Sequence, residues 1–324
     1  MRVPLFRRPG TVVVLDDDVD FLAMLSMALP RNWHINLFSR VESCIEYLAH
    51  EPPYWEADAW TQMQMIANWQ RGMPLIPQIL QYWGKYTERW ALARTLVIDY
   101  AMPVMNGIQV LSRLENWQGS RLLLTGLADA EVAAGAFNQG VIDKFIPKQG
   151  EILTTLTDSL DNLLTMQPSR QSQAWAATLT VRQIALLRDE TVARDLINFA
   201  RWRWVEHVLI GAPFGIIGMD GDGRVDWVPL AARDDLPELA MDAQRAGHDA
   251  DGVDAVQLGR QLSNASLCQA FPEAVSPALE TARPFGDSHG LVGAVFELDA
   301  SISPGREHSY NNWLTSQAER EIHA

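Results

Sequence analysis

The sequence predicts an α/β fold for its first half: a doubly wound, five-stranded parallel sheet with an inserted helical hairpin, followed by a small α+β domain. Three observations lead to this prediction. Short apolar runs alternate with helical segments over residues 1–165. Polar residues follow directly after most of these runs. The chain has 324 residues, a length that accommodates about two domains with separate cores.

The predicted strands are short apolar runs, of the kind that is buried on both faces of a parallel sheet. In chain order they cover residues 12–15, 33–38, 95–98, 121–124 and 141–146. The predicted helices of this half cover residues 21–29, 40–49, 105–117, 129–138 and 151–164. Asp20 is the expected N-cap of the first helix, because an aspartate oxygen can accept a hydrogen bond from the first helical turn.

Five polar residues follow these strands: Asp16, Asp17, Asp99, Thr125 and Lys148. Ligands of parallel sheets bind at the carboxyl ends of the strands, so these side chains are expected to converge. Three neighbouring carboxylates need raised pKa values or a bound cation, and Mg²⁺ prefers such oxygen ligands. A threonine hydroxyl and a lysine ammonium suit phosphoryl oxygens, and an aspartate can itself accept a phosphoryl group. The pattern therefore predicts a metal-assisted aspartyl-phosphate site.

The segments VVVLDDD, LVIDYAMPVMNG, LLLTG and KFIPK resemble the CheY-like, flavodoxin-like receiver domain of two-component response regulators. The resemblance covers residues 1–165 apart from one insertion, and the segments occur in the expected order. It implies that Asp99 is the phosphoacceptor. It also implies that Mg²⁺ is bound by Asp17, Asp99 and the backbone carbonyl of Ala101, with Asp16 assisting through water.

The same resemblance implies that Thr125 and Lys148 contact the phosphoryl group, and that Phe145 is the aromatic switch residue. The chain departs from the usual receiver pattern after the lysine, where Gln149 replaces proline, and after the threonine, where Gly126 replaces the commoner alanine. Without that proline, the cis peptide bond that often shapes this loop is not expected. A receiver-shaped domain that no longer takes phosphate remains the alternative interpretation.

The insertion covers residues 51–94 and contains five of the twelve tryptophans. Helical periodicity over residues 56–70 and 78–93 predicts a hairpin packed on the sheet domain. The five tryptophans are Trp55, Trp60, Trp69, Trp83 and Trp90. They either seal the hairpin or form a contact with a dimer partner or kinase.

After a polar linker at residues 166–179, a long connecting helix is expected over residues 180–210. It either pairs across a dimer or packs on its own domain. The turn Asp220-Gly221-Asp222-Gly223 predicts a hairpin of strands 214–219 and 224–228. The elements predicted beyond it are helices 234–246, 253–264 and 267–282, a strand at 291–298 and a terminal helix from 310. His207 is expected to be a packed or surface residue of the long helix.

Charge divides unevenly along the chain, whose formal net charge is −14. Residues 1–150 contain 13 basic and 15 acidic groups, whereas residues 151–324 contain 13 and 25. An output domain that binds duplex DNA usually has a basic surface, so the acidic excess of residues 151–324 argues against DNA binding. The two cysteines and the lack of a long apolar run indicate a cytoplasmic protein without a membrane span.

The sequence thus predicts a response regulator that a sensor histidine kinase or phosphotransfer protein phosphorylates on Asp99 with Mg²⁺. Its output would act through a downstream protein partner or a homodimer, rather than through DNA. The alternative is a phosphorylation-gated enzyme or a small-ligand sensor similar to PAS domains. The candidate site for that alternative is the group Asp220, Asp222 and Asp226. In its architecture the chain also resembles quorum-sensing response regulators of the Lqs and Phc type.

Overall fold

The structure is a computed structural model that describes residues 3–126, 129–165, 174–287, 290–317 and 320–323. Contacts divide the chain into two units. The parallel unit comprises residues 8–60, 88–168 and 314–324, and the antiparallel unit comprises residues 1–7, 61–87 and 169–313. In the described part of the chain, no helix has both the length and the apolar character needed to cross a membrane.

The strands, in chain order, are β1 (Phe6–Arg7), β2 (Thr11–Leu15), β3 (Ile35–Phe38), β4 (Ala93–Asp99), β5 (Ser120–Thr125), β6 (Lys144–Pro147), β7 (Glu206–Gly211), β8 (Phe214–Met219), β9 (Val225–Ala232), β10 (Gln261–Ser263), β11 (Leu279–Thr281), β12 (Arg283–Phe285), β13 (Leu291–Gly293), β14 (Phe296–Glu297) and β15 (Ile322–His323). The α-helices are α1 (Val19–Ala28), α2 (Val41–Ala49), α3 (Pro52–Gln70), α4 (Leu75–Lys85), α5 (Gly107–Arg113), α6 (Ala130–Asn138), α7 (Ile152–Thr165), α8 (Val181–Arg188), α9 (Glu190–Arg203), α10 (Leu236–Arg245), α11 (Ala250–Gln257), α12 (Ala265–Ala270) and α13 (Tyr310–Ser316).

The sheet of the parallel unit has the strand order β15-β3-β2-β4-β5-β6, and all of its pairings are parallel. The five predicted strands are therefore present, in the order 2-1-3-4-5 of one doubly wound class. One apolar core lies between the sheet and α2, α5 and α6, and a second lies between the sheet and α1 and α7. Strand β2 is buried along its whole length because both faces of the sheet are covered.

Two short side chains set where α1 and α5 begin. The predicted cap Asp20 is wrong: Asp18 is the N-cap, and its carboxylate accepts hydrogen bonds from the backbone N–H groups of Asp20 and Phe21 at 3.0 and 3.1 Å. Asp20 is already the second residue of the helix, in its first turn. Helix α5 begins with a capping box between Asn106 and Gln109.

The C-terminus differs from the predicted terminal helix. Helix α13 ends at Ser316, and the chain then adds β15 to the edge of the parallel sheet as a sixth strand. This strand has two residues, so no alternation of apolar and polar residues could have indicated it.

The inserted helical hairpin is present as α3 and α4, but the second helix ends at Lys85 rather than continuing to residue 93. A 3₁₀ turn, Thr87–Trp90, follows it, and β4 begins at Ala93. The hairpin was expected on the sheet domain, yet residues 61–87 belong to the antiparallel unit. Within that unit, the buried side chain of Gln62 accepts a hydrogen bond from the indole of Trp175 at 2.9 Å.

Tryptophans of the insertion differ in burial. Trp55, Trp83 and Trp90 are fully buried, Trp69 is partly buried and Trp60 is 60% exposed. Sealing of the hairpin and its surroundings therefore accounts for the first three. Trp60 is the one of the five that a partner could reach.

The antiparallel unit is built on a sheet of order β1-β7-β8-β9-β13-β12, with β14 also paired to β9. The predicted hairpin of β8 and β9 is present, and Gly223 in its turn has a φ of 86°, which favours glycine. Helix α9 packs on this sheet, and Leu196, Trp204, Leu209 and Ile216 lie in the shared core.

The predicted connecting helix over residues 180–210 is wrong, because it is three elements. Helix α8 ends at Arg188, and Asp189 starts α9 by accepting hydrogen bonds from the N–H groups of Thr191 and Val192 at 2.9 and 3.0 Å. Residues 206–211 form β7, which pairs with β1 on one side and β8 on the other. The apolar run in this segment, buried on both faces, belongs to a central strand.

Three further predictions in the antiparallel unit change in extent. Helix 253–264 is α11 followed by β10, and helix 267–282 is α12 followed by β11. The strand at 291–298 is divided into β13 and β14. In each case a short strand pairs with a partner distant in sequence, such as β9 with β13. The two units also differ from the single predicted boundary near residue 166, because the chain passes between them several times.

Candidate functional site

The carboxyl ends of β2 and β4 lie side by side, because these two parallel strands pair with Leu15 opposite Ile98. Asp16 follows β2 directly, and Asp99 is the last residue of β4. As a result, one ligand atom from each of Asp16, Asp17 and Asp99 lies within 4.8 Å of the other two. The order of the strands also changes direction here, which is where doubly wound sheets bind ligands.

Lys148 joins the two buried carboxylates of this site. Its ammonium nitrogen lies 2.6 Å from an oxygen of Asp16 and 2.9 Å from an oxygen of Asp99. Asp16 is fully buried and Asp99 is nearly so, whereas Asp17 is exposed. Burial raises the pKa of Asp16 to about 6, although Lys148 lowers it. Burial would lower the pKa of Lys148, but the two ion pairs raise it overall.

Thr125 is the buried last residue of β5, next to Asp99 on the neighbouring strand. Its carbonyl accepts the backbone N–H of Lys148 at 2.8 Å, which ties the lysine loop to β5. The backbone N–H of Ala101 donates to a carboxylate oxygen of Asp99 at 3.2 Å. The structure thus places Asp99, Thr125, Lys148 and Ala101 around one end of the sheet.

Phe145 lies on β6, partly buried against the core. Its ring contacts that of Phe137 on α6 edge to face, with centroids 6.4 Å apart. Phe137 is 49% exposed, so Phe145 is covered by a side chain that itself faces solvent.

Sequence reasoning missed Phe21, whose ring centroid lies 4.8 Å from the ammonium nitrogen of Lys148. A cation over an aromatic face is favourable, so Phe21 helps to hold the lysine. The available signal was its position: it follows the cap Asp18 by three residues and therefore lies on the first turn of α1, at the same end of the sheet.

The residues present fit a divalent cation. Carboxylate oxygens are hard ligands of the type that Mg²⁺ prefers. Lys148 supplies one positive charge to the acidic cluster, and the raised pKa of Asp16 shows that burial still disfavours its ionised form. A second positive charge would favour the ionised form of Asp16. Within the described ranges, these three aspartates are the group of acidic, histidine or cysteine residues that converges in this way.

Carboxylates of the antiparallel unit do not converge in the described part of the chain. The predicted candidates were Asp220, Asp222 and Asp226. Buried Asp226 accepts hydrogen bonds from Arg203 Nε at 2.6 Å and from Trp204 Nε1 at 2.8 Å. Asp222 accepts from the amide of Asn311 at 2.9 Å, and Asp220 accepts from two backbone N–H groups of the turn. Each carboxylate therefore has a structural partner of its own.

His207 lies on β7 rather than on a helix, and it is buried. Its Nε2 lies 3.2 Å from the carbonyl oxygen of Pro4, which the neutral ring can contact as a donor. Burial and the nearby Arg7 lower the pKa of His207 to about 3. Of the two predicted alternatives, a packed or a surface residue, the structure shows the packed one, and the predicted position on a helix is wrong.

Comparison with known proteins adds a relative that spans the whole chain. No protein-family model and no curated protein match the sequence. The solved structure of the Legionella pneumophila response regulator LqsR superimposes with a TM-score of 0.71, at 20% identity, over 98% of this chain and 98% of that one. The chain has the fold of a response regulator. The shared fold is a CheY-like receiver domain joined to a second domain, as in LqsR.

Isolated receiver domains match this response-regulator fold over about half of its length. The receiver domain protein from Clostridium thermocellum has 14% identity and a TM-score of 0.30, over 48% of this chain and 94% of that one. The BeF3-activated DrrB receiver domain has 16% identity and a TM-score of 0.32, over 49% of this chain and 99% of that one.

Proposed function

We propose that this protein is a response regulator in which Asp99 accepts a phosphoryl group from a sensor histidine kinase or a phosphotransfer protein. The convergence of Asp16, Asp17 and Asp99, two of which are paired with the ammonium group of Lys148, supports this proposal most directly. Asp99 is the best-placed nucleophile of the three, since it lies at the end of the central strand β4, between Lys148 and the backbone N–H of Ala101.

In this reaction an oxygen of Asp99 attacks the phosphorus atom of phosphohistidine. The bond between phosphorus and the donor nitrogen breaks, that nitrogen takes up a proton, and Asp99 becomes a mixed anhydride. Mg²⁺ would be held by Asp16, Asp17, Asp99 and the carbonyl of Ala101, and would supply positive charge to the phosphoryl oxygens.

Lys148 and Thr125 would detect the new group. Phosphorylation changes the charge on Asp99 from −1 to about −2 and adds three strong acceptor oxygens. The ammonium of Lys148, which contacts Asp99 at 2.9 Å, can turn to a phosphoryl oxygen, and the hydroxyl of buried Thr125 can donate to another. Movement of Thr125 and of the Lys148 loop would then change the burial of Phe145 on the adjoining strand β6.

We propose that the second domain acts through a downstream protein partner or a homodimer, without enzymatic activity and without binding DNA. Over residues 151–324, which include most of this domain, acidic groups outnumber basic ones by 25 to 13, and this excess opposes binding of a phosphate backbone. The carboxylates of the alternative, enzymatic hypothesis have structural partners instead. A cytoplasmic quorum-sensing circuit fits the resemblance to Lqs-type regulators and the two free cysteines.

Phosphorylation is tested by incubating the protein with Mg²⁺ and phosphoramidate and measuring the intact mass. The wild type should gain one phosphoryl group, and Asp99→Asn should gain none. Asp20→Asn is the matched control, since it removes an exposed carboxylate from the adjacent turn of α1 and should label like the wild type. Equal labelling of the wild type and Asp99→Asn would overturn the proposal.

The output is tested by light scattering and by titration with duplex DNA, each with and without beryllofluoride. We expect a change in mass or in the binding of a protein partner when the phosphoryl analogue is present. Tight, salt-dependent binding of duplex DNA would contradict the proposed output.

A further inference from the structure

The C-terminal tail, which we define as residues 320–323, lies along the edge of the parallel sheet. Its strand β15 pairs in parallel with β3, with Ile322 opposite Leu37 and His323 opposite Phe38. The backbone N–H of Ser39 donates to the carbonyl of His323 at 2.9 Å. The ring of His323 also lies 5.0 Å from that of Phe38. The tail thus satisfies backbone groups of what would otherwise be an open edge strand.

Arg320, at the start of the tail, binds the end of α1. Its guanidinium donates to the carbonyl oxygens of Ser26 and Leu29, both at 2.9 Å, to that of Trp33 at 3.0 Å and to that of Pro30. The last carbonyls of a helix have no partner within the helix, and a positive charge is favourable beside them. One side chain therefore caps α1 and the turn that leads into β3.

Both elements that the tail contacts lead directly to the cluster of aspartates. The carbonyl of Phe38, the last residue of β3, accepts the backbone N–H of Asp16 at 3.1 Å. Asp18, the N-cap of α1, lies two residues after Asp16. The tail thus supports β3 on the edge opposite to β2, and it supports the C-terminal end of α1.

We propose that the edge of β3 and the end of α1 form a peptide-binding site, and that the chain's own C-terminal tail is its ligand. The site takes an extended peptide with an arginine two residues ahead of the first paired position. Strand pairing supplies the main-chain contacts, and the arginine selects the sequence and its register, as in other sites that add a strand to a sheet edge.

This inference goes beyond the phosphorylation proposal and does not depend on it. The tail is covalently part of the chain, so a contact that is weak between separate molecules can persist because of its high effective concentration. In this proposal the tail is an exchangeable ligand rather than a permanent part of the sheet. Elements that it supports should become more mobile when it leaves.

Hydrogen exchange of full-length variants tests the site. In Arg320→Ala, the amide of Ser39 should exchange at least about tenfold faster than in the wild type, since its acceptor on the tail is released. Arg31→Ala is the matched control: it removes an exposed arginine from the turn after α1 and should leave the Ser39 amide unchanged. An unchanged Ser39 amide in Arg320→Ala would overturn the proposal.

Binding in trans tests whether the tail is a ligand. A synthetic peptide of residues 317–324, added in excess to Arg320→Ala, should restore protection of Ser39, whereas the same peptide with alanine at position 320 should not. Equal effects of the two peptides, or no effect of either, would refute the assignment. Phosphorylation of Asp99 enters none of these measurements, so their failure is distinct from failure of the proposed function.

A shortened chain separates the two contacts if Arg320→Ala does not fold. Ending the chain after Glu321 keeps Arg320 but removes β15. The Ser39 amide should then exchange faster, while the amide of Leu29, which closes the last turn of α1, should stay protected. Faster exchange at both positions, or at neither, would contradict separate roles for the arginine and the strand.

Discussion

The aspartates at the ends of β2 and β4 in the parallel unit and Asp226 in the antiparallel unit have opposite surroundings. In the parallel unit, Asp16 and Asp99 share a single cation, Lys148, and Asp17 adds a third negative charge nearby. In the antiparallel unit, Asp226 has Arg203 and the indole of Trp204 to itself. The first arrangement concentrates charge, and the second neutralises it locally.

Strand direction accounts for this difference. In a parallel sheet all carboxyl ends meet at one edge, so residues distant in sequence converge there. In an antiparallel sheet the ends alternate, and the polar residues of a hairpin are satisfied within the hairpin or by a neighbouring helix. The turn between β8 and β9 shows this, since Asn311 of α13 binds both the backbone and a carboxylate of the turn. The parallel unit is therefore where external charge can be accepted.

Acid should have the largest effect, and it acts in both units: burial lowers the pKa of His207 in the antiparallel unit and, to about 4, that of His34 in the parallel unit. Burial lowers the pKa of His207 to about 3, from an unfolded value of 6.5. As the pH falls, the unfolded state takes up this proton before the folded state does. The free energy of unfolding therefore has its full value above pH 6.5 and decreases as the pH drops toward 3. The loss reaches about 5 kcal/mol for the antiparallel unit.

The test compares the wild type with His207→Gln. Hydrogen exchange of the backbone amides of β7 and β8 is measured in both proteins from pH 7 to pH 4. The variant should lose most of the pH dependence of these strands, whatever its stability at neutral pH. If the wild type and the variant weaken in parallel as the pH falls, His207 is not the group responsible.

Lys148→Met should have the next largest effect, in the parallel unit. It leaves the buried carboxylates of Asp16 and Asp99 without their shared cation, and we expect a loss of about 3 kcal/mol in unfolding free energy near pH 7. Millimolar Mg²⁺ should recover part of that loss, because it supplies positive charge to the same oxygens. Chemical denaturation with and without Mg²⁺ measures this effect, and Lys144→Met, on the strand β6 that precedes Lys148, is the control.

Asp226→Asn should destabilise the antiparallel unit by about 2 kcal/mol, because Arg203 and Trp204 donate to the same carboxylate oxygen and the neutral amide removes the negative charge that strengthens both hydrogen bonds. Labelling of Asp99 by phosphoramidate should be unchanged. Loss of labelling in this variant would show that the two sets of carboxylates are not independent.

Asp222→Asn should have the smallest effect, within about 0.5 kcal/mol, since the side chain is exposed and an asparagine can still accept from Asn311. Thermal unfolding alongside Asp226→Asn provides the measurement. A cost comparable to that of Asp226→Asn would indicate a role for the turn beyond solvation.

Local sequence patterns predicted the parallel unit well because its information is local. Buried apolar runs identified β2, β4 and β5, and the residues that end them or follow them identified the site, including Asp16 and Asp99. The same reasoning failed over residues 180–210, where helical periodicity was followed across Asp189 into a central strand. A buried strand and a buried helix present similar apolar runs, and only the pairing of β7 with β1 and β8 distinguishes them.

The sequence by itself determined the alternation of strands and helices in the first half, the order of the residues at the strand ends and the turn at Gly223. These features depend on near neighbours in the chain. Only the tertiary structure decided that residues 6–7 join the antiparallel sheet, that residues 61–87 leave the parallel unit and that residues 322–323 return to it. Strands of two residues carry no periodicity, so their places are set by the unpaired edges that they satisfy.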